Sequence, residues 1–265
     1  MRNLRMEENL KTYQTANIVN YYTQLNQLQG AEKTLLDLLS DRLSSFKMLD
    51  IGVGGGRTTA HFAPVVKEYV GIDYSADMIA ACQQKFANSS FKADFKVADA
   101  RDLSQFADNS FDLILFSFNG IDYVSHSDRL SILQEVARVG KSGGYFFFSS
   151  HNLLSMTQEF NYQKHLSLNL FKTYVNLVMF AFLRFANLPV TFKQLQKKDY
   201  YIIRDESHNF KLKTYYIRPQ AQIKQLQNDF HNIKIYSWQS GQQIFNVADS
   251  MVNSPMWLYY LCQVN

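Results

Sequence analysis

Lys47-Met48-Leu49-Asp50-Ile51-Gly52-Val53-Gly54-Gly55-Gly56-Arg57 is the stretch on which the reading of this chain turns. A short apolar run ends in an acid, and glycines crowd the turn before a helix-like segment begins at Thr58. A chain leaving a buried strand must bend sharply here and let its backbone approach a ligand, which a Cβ would obstruct. The spacing distinguishes the nucleotide loops that glycines can build. The dinucleotide fingerprint needs glycine at the first, third and sixth positions, and counting from Gly52 the sixth is Arg57. The triphosphate loop fails as well, because no Gly-Lys-Ser or Gly-Lys-Thr closes the turn.

The unit of strand, acid and helix then repeats. Glu68-Tyr-Val-Gly-Ile-Asp73-Tyr74-Ser75 is a second apolar strand ending in an acid, 23 residues after Asp50, which leaves room for one helix and one strand. Phe95-Lys-Val-Ala-Asp99-Ala100-Arg101 is a third of the same kind, and Ser110 to Asn119 is a fourth that runs through Phe116 and Ser117. A helical pattern from Leu133, the Gly143-Gly144 turn and the run Tyr145 to Ser149 complete a fifth. Such alternation predicts a parallel sheet with crossover helices on both faces and ligands beyond the carboxyl ends of the strands.

Gly52-x-Gly54-x-Gly56 after Asp50, with these motifs in order over about a hundred residues, resembles the class I S-adenosylmethionine-dependent methyltransferases. The resemblance implies an α/β, Rossmann-like fold: a seven-stranded, mostly parallel sheet with a final antiparallel strand and helices on both faces. It covers residues 47–151 and 214–265, with an N-terminal helical segment over 1–46 and an inserted substrate cap over 152–213. Pro219 opens the last helix, and Ile233 to Ser237 and Trp257 to Val264 are the expected closing strands.

The implied cofactor is S-adenosyl-L-methionine, released as S-adenosyl-L-homocysteine. By the resemblance, Gly52, Gly54 and Gly56 lie under its methionine moiety beside Asp50, Asp73 accepts the ribose hydroxyls, and Asp99, Ala100 and Arg101 meet the adenine. Ser117 presents its backbone carbonyl to the methionine amine. Tyr74 and Met78 flank the ribose and adenine, unless Met78 only packs its helix. Arg57 either pairs with the cofactor carboxylate or caps a surface helix, and Tyr21 of the Tyr21-Tyr22 pair either covers the methionine end or packs between helices.

On the acceptor side, Asn119 follows strand four, where relatives place a polar substrate contact; its other reading is a plain turn residue before Gly120. His151, at the carboxyl end of strand five, is the best-placed general base, against the alternative of a histidine held by loop hydrogen bonds. His126, His165 and His208 are less well placed. Tyr215 and Tyr216 return to the core and are both candidates to line the substrate pocket. Transfer from a sulfonium needs alignment, exclusion of water and removal of a proton, so no metal is expected.

Composition suits a folded globular protein: 265 residues, 46% hydrophobic, 19% charged and only 4 prolines. Cys82 and Cys262 are too few for a disulfide scaffold and read as packed thiols in a reducing compartment. The N-terminus has no apolar signal core, so a cytoplasmic location is expected. The longest uncharged apolar stretch, Thr173 to Leu183, is 11 residues and reads as a buried or lid helix, since a transmembrane helix needs about 20.

Net charge is +4, but residues 161–220 hold ten basic side chains against three acidic ones. A cationic cap would draw an anionic, partly hydrophobic small molecule to the acceptor site. Two other readings use the same core. One methylates RNA or protein through the basic insertion, but no Asn-Pro-Pro-Tyr signature follows strand four, and nucleic acid is not the expected partner. The other is a non-catalytic S-adenosylmethionine-binding module.

Overall fold

Strands rich in Val, Ile, Leu and Phe are joined by hydrogen bonding into one sheet. The computed structural model describes residues 16–206, 210–245 and 255–265. In it β1 (Lys47–Ile51), β2 (Glu68–Asp73), β3 (Asp94–Val97), β4 (Phe111–Phe116) and β5 (Gly140–Asn152) run parallel. β10 (Trp257–Val264) lies antiparallel between β5 and β8 (Phe230–Ser237). The path β3-β2-β1-β4-β5-β10-β8 is mostly parallel with one antiparallel strand near its end, as expected, and its order reverses between β1 and β4. That reversal opens a crevice at the carboxyl ends of β1, β2 and β4.

The sheet holds more than the seven strands of the expected core. β6 (Tyr200–Ile203), β7 (Thr214–Ile217) and β9 (Gln243–Ile244) bring it to ten strands. β6 and β7 form an antiparallel hairpin, and β7 pairs in parallel with the end of β5, Tyr216 opposite His151. The cap is thereby fastened to the main sheet at the edge where ligands bind.

Alternation along the strands builds two apolar layers. Leu49, Ile114, Phe146 and Phe148 face one side, under α5 (His126–Val139) and α9 (Pro219–Leu226). Met48, Leu113, Phe147 and Tyr259 face the other, with Leu35 and Leu39 of α2 (Gly30–Leu43). The N-terminal helical segment expected over 1–46 contains α1 (Ala16–Gln24) and α2 among the described residues, and residues 1–15 lie outside those described. α3 is a single turn (Thr59–Phe62), shorter than the sequence pattern implied. In α4 (Ala76–Phe86), Ser75 caps the first turn by accepting from the Met78 N–H. Cys82 and Cys262 are both buried free thiols.

The cap consists of α6 (Leu153–Glu159), α7 (Leu170–Ala186), α8 (Phe192–Lys197) and the β6 strand. Leu153, Met156, Phe160, Leu183, Leu195, Ile203 and Tyr216 give it a small core of its own. α7 is a lid rather than a buried helix: only Leu183 is buried, while Leu170, Phe171, Phe182 and Phe185 face outward. Among the described residues no helix is long and apolar enough to cross a membrane.

Candidate active site

The glycine loop takes the conformation its composition allows. Gly54 has φ +53°, and its N–H donates to Asp73 Oδ2 at 3.0 Å, so the loop is pinned to the end of β2. Gly56 has φ +76°, and a Cβ there would lie 2.4 Å from the Phe86 ring. Both positions require glycine, one for a left-handed backbone over a cavity and the other for close packing on α4.

That cavity is lined by Asp50, Gly52, Gly54, Arg57, Asp73, Tyr74, Met78, Asp99, Ala100, Arg101 and Ser117, which brings together all but two of the expected cofactor residues. Asp73 Oδ1 accepts from the Ser75 N–H at 2.9 Å, so backbone donors orient both carboxylate oxygens at the cavity wall. Burial raises its pKa to about 6. Asp99 is held by the Arg101 side chain and N–H at the far end. A diol at Asp73, an aromatic base beside Met78 and Asp99, and a tail over the glycines fit this cavity. The residues that would hold S-adenosylmethionine are therefore in place.

Three expected cofactor contacts sit differently. Asp50 is turned inward, accepting from Thr58 Oγ1 and Tyr69 Oη, both at 2.5 Å, and burial raises its pKa to about 6. Arg57 is no surface cap. It is buried, and its guanidinium grips both oxygens of Glu32 at 2.5 and 2.7 Å and reaches Ser117 Oγ at 2.9 Å. Burial would raise the Glu32 pKa, but the hydrogen bonds and charge of Arg57 outweigh it and hold the carboxyl below its ordinary range. Arg57 thus carries its counterion within the protein and anchors α2 to the glycine loop. Tyr21 is 58% exposed and lines a second cavity, while its neighbour Tyr22 reaches the first.

Beyond β4 the chain does something the sequence did not announce. Phe118 and Asn119 have φ +58° and +61°, two successive left-handed residues without glycine. Each costs about 1–2 kcal/mol, a strain found where surroundings hold a backbone for function. The Asn119 N–H donates to Ser149 Oγ at 2.7 Å, which fixes the turn against β5. The turn puts Phe118 between the two cavities, and Tyr22, Phe118 and Tyr123 wall both.

The second cavity, ≈ 640 Å³, lies under the cap and is lined by Asn119, His151, Tyr216 and Trp257 among others. His151 Nδ1 lies 2.8 Å from Asp122 Oδ2, and Asp122 also accepts from the His151 N–H at 2.6 Å. Asp122 is fully buried, and its other oxygen accepts from Arg129 Nη1 at 2.5 Å and Ser150 Oγ at 2.8 Å. Arg129, itself fully buried, also reaches Ser150, Gln222 and the Ile121 carbonyl. A carboxylate on Nδ1 selects the tautomer with its proton there, leaving the Nε2 lone pair as an acceptor. Nε2 faces Asn119 Nδ2 at 3.5 Å.

Asn119, His151 and Tyr216 therefore converge as expected, and Tyr215 does not. Adjacent strand residues point to opposite faces, so Tyr215 turns away from the cavity to His126 Nδ1, 2.8 Å from its hydroxyl, and to Gln225. Tyr216 gives its hydroxyl to Asp205 and lays its ring 4.9 Å from His151. His165 also lines the cavity, His126 does not, and His208 lies outside the described residues. The charge expectation also changes. Among the described residues lining the cavity, Glu159, Asp205 and Glu206 are the charged ones, and none of the ten basic residues of 161–220 is there. The lysines of residues 161–220 are all exposed and none lines the cavity.

Sequence reasoning missed Asp122, Arg129, Tyr123 and Trp257. Asp122 had a signal, an acid three residues past Asn119 beyond a strand end, but its partner is 29 residues on. Among the described residues no group of three or more His, Cys, Asp or Glu side chains is placed to hold a metal ion.

Comparison with known proteins agrees with this geometry. Residues 48–144 match the family model of a methyltransferase domain. The uncharacterized methyltransferase YcgJ of Bacillus subtilis (strain 168) is 30% identical over 131 residues, 46% of this chain and 47% of that protein. A ubiquinone biosynthesis O-methyltransferase of Xanthomonas oryzae pv. oryzae is 28% identical over 128 residues, 47% and 52% of the two chains. The chain spans about half the length of these relatives. An S-adenosylmethionine-dependent methyltransferase of Clostridium acetobutylicum shares the fold with a TM-score of 0.62, over 94% of this chain and 98% of that one at 15% identity. Residues 48–144 are thus similar to a methyltransferase domain, and the chain shares its fold with S-adenosylmethionine-dependent methyltransferases.

Proposed function

We propose that this protein transfers a methyl group from S-adenosylmethionine to a proton-bearing nitrogen or oxygen of a small molecule held beneath the cap. The observation that carries the reading is the junction of two cavities at Tyr22, Phe118 and Tyr123, with the Asp122–His151 pair facing the acceptor side. Bound in the first cavity, the cofactor supplies a methyl group on a positively charged sulfur, already activated toward any lone pair aligned with it. Asp73, Asp99 and the glycine loop orient that donor. Phe118, Tyr22 and Tyr123 exclude water from the passage, and Asn119 with His151 positions the acceptor. His151 receives the acceptor proton at Nε2, while Asp122 holds the ring and stabilises the imidazolium, with Arg129 behind it as countercharge. Such a positioned base contributes about 10²–10⁴ in rate.

The names of relatives in ubiquinone biosynthesis support a small-molecule acceptor, and so does a cavity under the cap that no lysine or arginine lines. The test measures S-adenosylmethionine binding and S-adenosylhomocysteine release with a cell extract. His151→Gln should bind the cofactor normally and release product about a hundredfold more slowly at neutral pH. Tight cofactor binding with no release from any extract would instead favour the non-catalytic module.

A further inference from the structure

The outer face of the cap is built for contact with something other than water. In α7 the side chains of Phe171, Tyr174, Val178, Phe182 and Phe185 recur at steps of three and four residues, which aligns them in one stripe along the helix. All five are exposed, Phe171 and Phe185 by 78% and 76%. Leu168 before the helix and Leu188 after it, both exposed, carry the apolar surface past its two ends. A monomer rarely leaves so continuous an apolar surface to water, so the stripe marks a docking face.

The opposite side of α7 is already engaged. Leu183 is buried and, with Met179 and Phe180, lines the acceptor cavity. The end of the helix is tied to the cap as well: Arg184 donates to the Val190 carbonyl at 2.5 Å, and the Asn187 amide donates to the Leu183 and Arg204 carbonyls at 2.9 and 2.7 Å. The helix therefore offers a partner one face only, and at 17 residues it is shorter than the roughly 20 a bilayer span needs.

Charge selects the partner. Lys172 and Arg184 are the only charged residues of α7. All seven lysines of residues 161–220 are exposed, against two exposed acids, Asp199 and Glu206. A second copy of the chain docked face to face would set this positive surface against itself. A negatively charged lipid surface supplies what the face lacks, acyl chains for the stripe and phosphates for the lysines. Tyr174 suits the boundary between them, with an apolar ring and a polar hydroxyl.

We infer that the cap docks on an anionic membrane surface, with α7 lying in the plane of the headgroups and its aromatic stripe against the acyl chains. This is independent of the methyl-transfer reading. Because the inner face of the same helix lines the acceptor cavity, docking holds that cavity one helix diameter, about 10 Å, from the lipid.

The experiment floats the full chain on density gradients with vesicles of phosphatidylcholine alone or mixed with phosphatidylglycerol. The chain should rise with the mixed vesicles and bind about tenfold more weakly to phosphatidylcholine alone or in high salt. The Phe171→Ser/Phe182→Ser/Phe185→Ser variant changes exposed side chains only, so it should bind S-adenosylmethionine as the parent does and lose vesicle affinity about a hundredfold. Val178→Cys carrying an environment-sensitive fluorophore should shift to the blue with the mixed vesicles, and both native thiols are buried. No flotation with the mixed vesicles, undiminished flotation of the triple variant, or an unshifted fluorophore overturns the proposal. So does a concentration-dependent dimer that the triple variant abolishes in a chain that ignores vesicles, which would give the face to a second copy.

Discussion

Lowering pH from 8 to 5 should weaken S-adenosylmethionine binding through one identifiable carboxyl. Asp73 is 7% exposed, and burial raises its pKa to about 6. Only the ionised form offers lone pairs to both ribose hydroxyls while accepting from Gly54 and Ser75. If the cofactor binds that form alone, the apparent Kd is multiplied by one plus ten to the power of pKa minus pH. The factor is about 2 at pH 6 and about 11 at pH 5, the latter about 1.4 kcal/mol. Titration calorimetry from pH 5 to 8, in buffers of differing ionisation enthalpy, reads both the Kd and the proton released on binding near pH 6. Asp73→Asn should bind weakly at every pH and show neither effect. A flat Kd in the parent, or an unchanged pH dependence in Asp73→Asn, would refute the assignment of Asp73 as the ribose acid.

Asp50 makes the opposite kind of prediction, on stability. Its pKa of about 6 in the fold exceeds the ordinary 3.9 or so, so the folded state binds the extra proton between those values. Asp50 should therefore contribute a loss of about 2–3 kcal/mol in the ligand-free protein as pH rises from 4 to 6, read as the difference in urea midpoints between the parent and Asp50→Asn. Asp122→Asn removes the counterion of the buried Arg129 as well as the orienter of His151, so it should cost about 3–5 kcal/mol in urea melts and lower kcat at least a hundredfold. Retention of full turnover in that variant would exclude His151 as the base. Tyr216→Phe should change KM for the acceptor while Tyr215→Phe leaves it unaltered, because only the former side chain lines the cavity.

Much of the cofactor half could be read from residue order. Gly52, Gly54 and Gly56, then Asp73 and Asp99 one strand-helix unit apart, are local signals, since each loop is built within its own strand, turn and helix. The structure gathers them around one cavity with Tyr74, Met78 and Ala100. Arg57 was ambiguous because its partner, Glu32, is 25 residues away on a helix whose docking angle no local pattern encodes. Tyr21 and Tyr22 could not be told apart for a related reason: which side of α1 meets the glycine loop depends on how that helix sits over it.

The acceptor half divides along the same line. Period-two alternation in the segment Thr214–Ile217 announces a strand, but which of Tyr215 and Tyr216 enters the cavity depends on β7 pairing with β5 at His151. The local charge of residues 161–220 is a count, whereas its effect depends on which face of the cap each lysine takes, and all the described ones take the outside. The sequence by itself determined the doubly wound core and the donor it is built to hold, because those follow from spacing within about thirty residues. Only the tertiary structure decided the Asp122–His151–Arg129 chain and the aromatic wall around it. These are contacts between strand ends and a distant cap, and their chemistry exists only once register and facing are fixed.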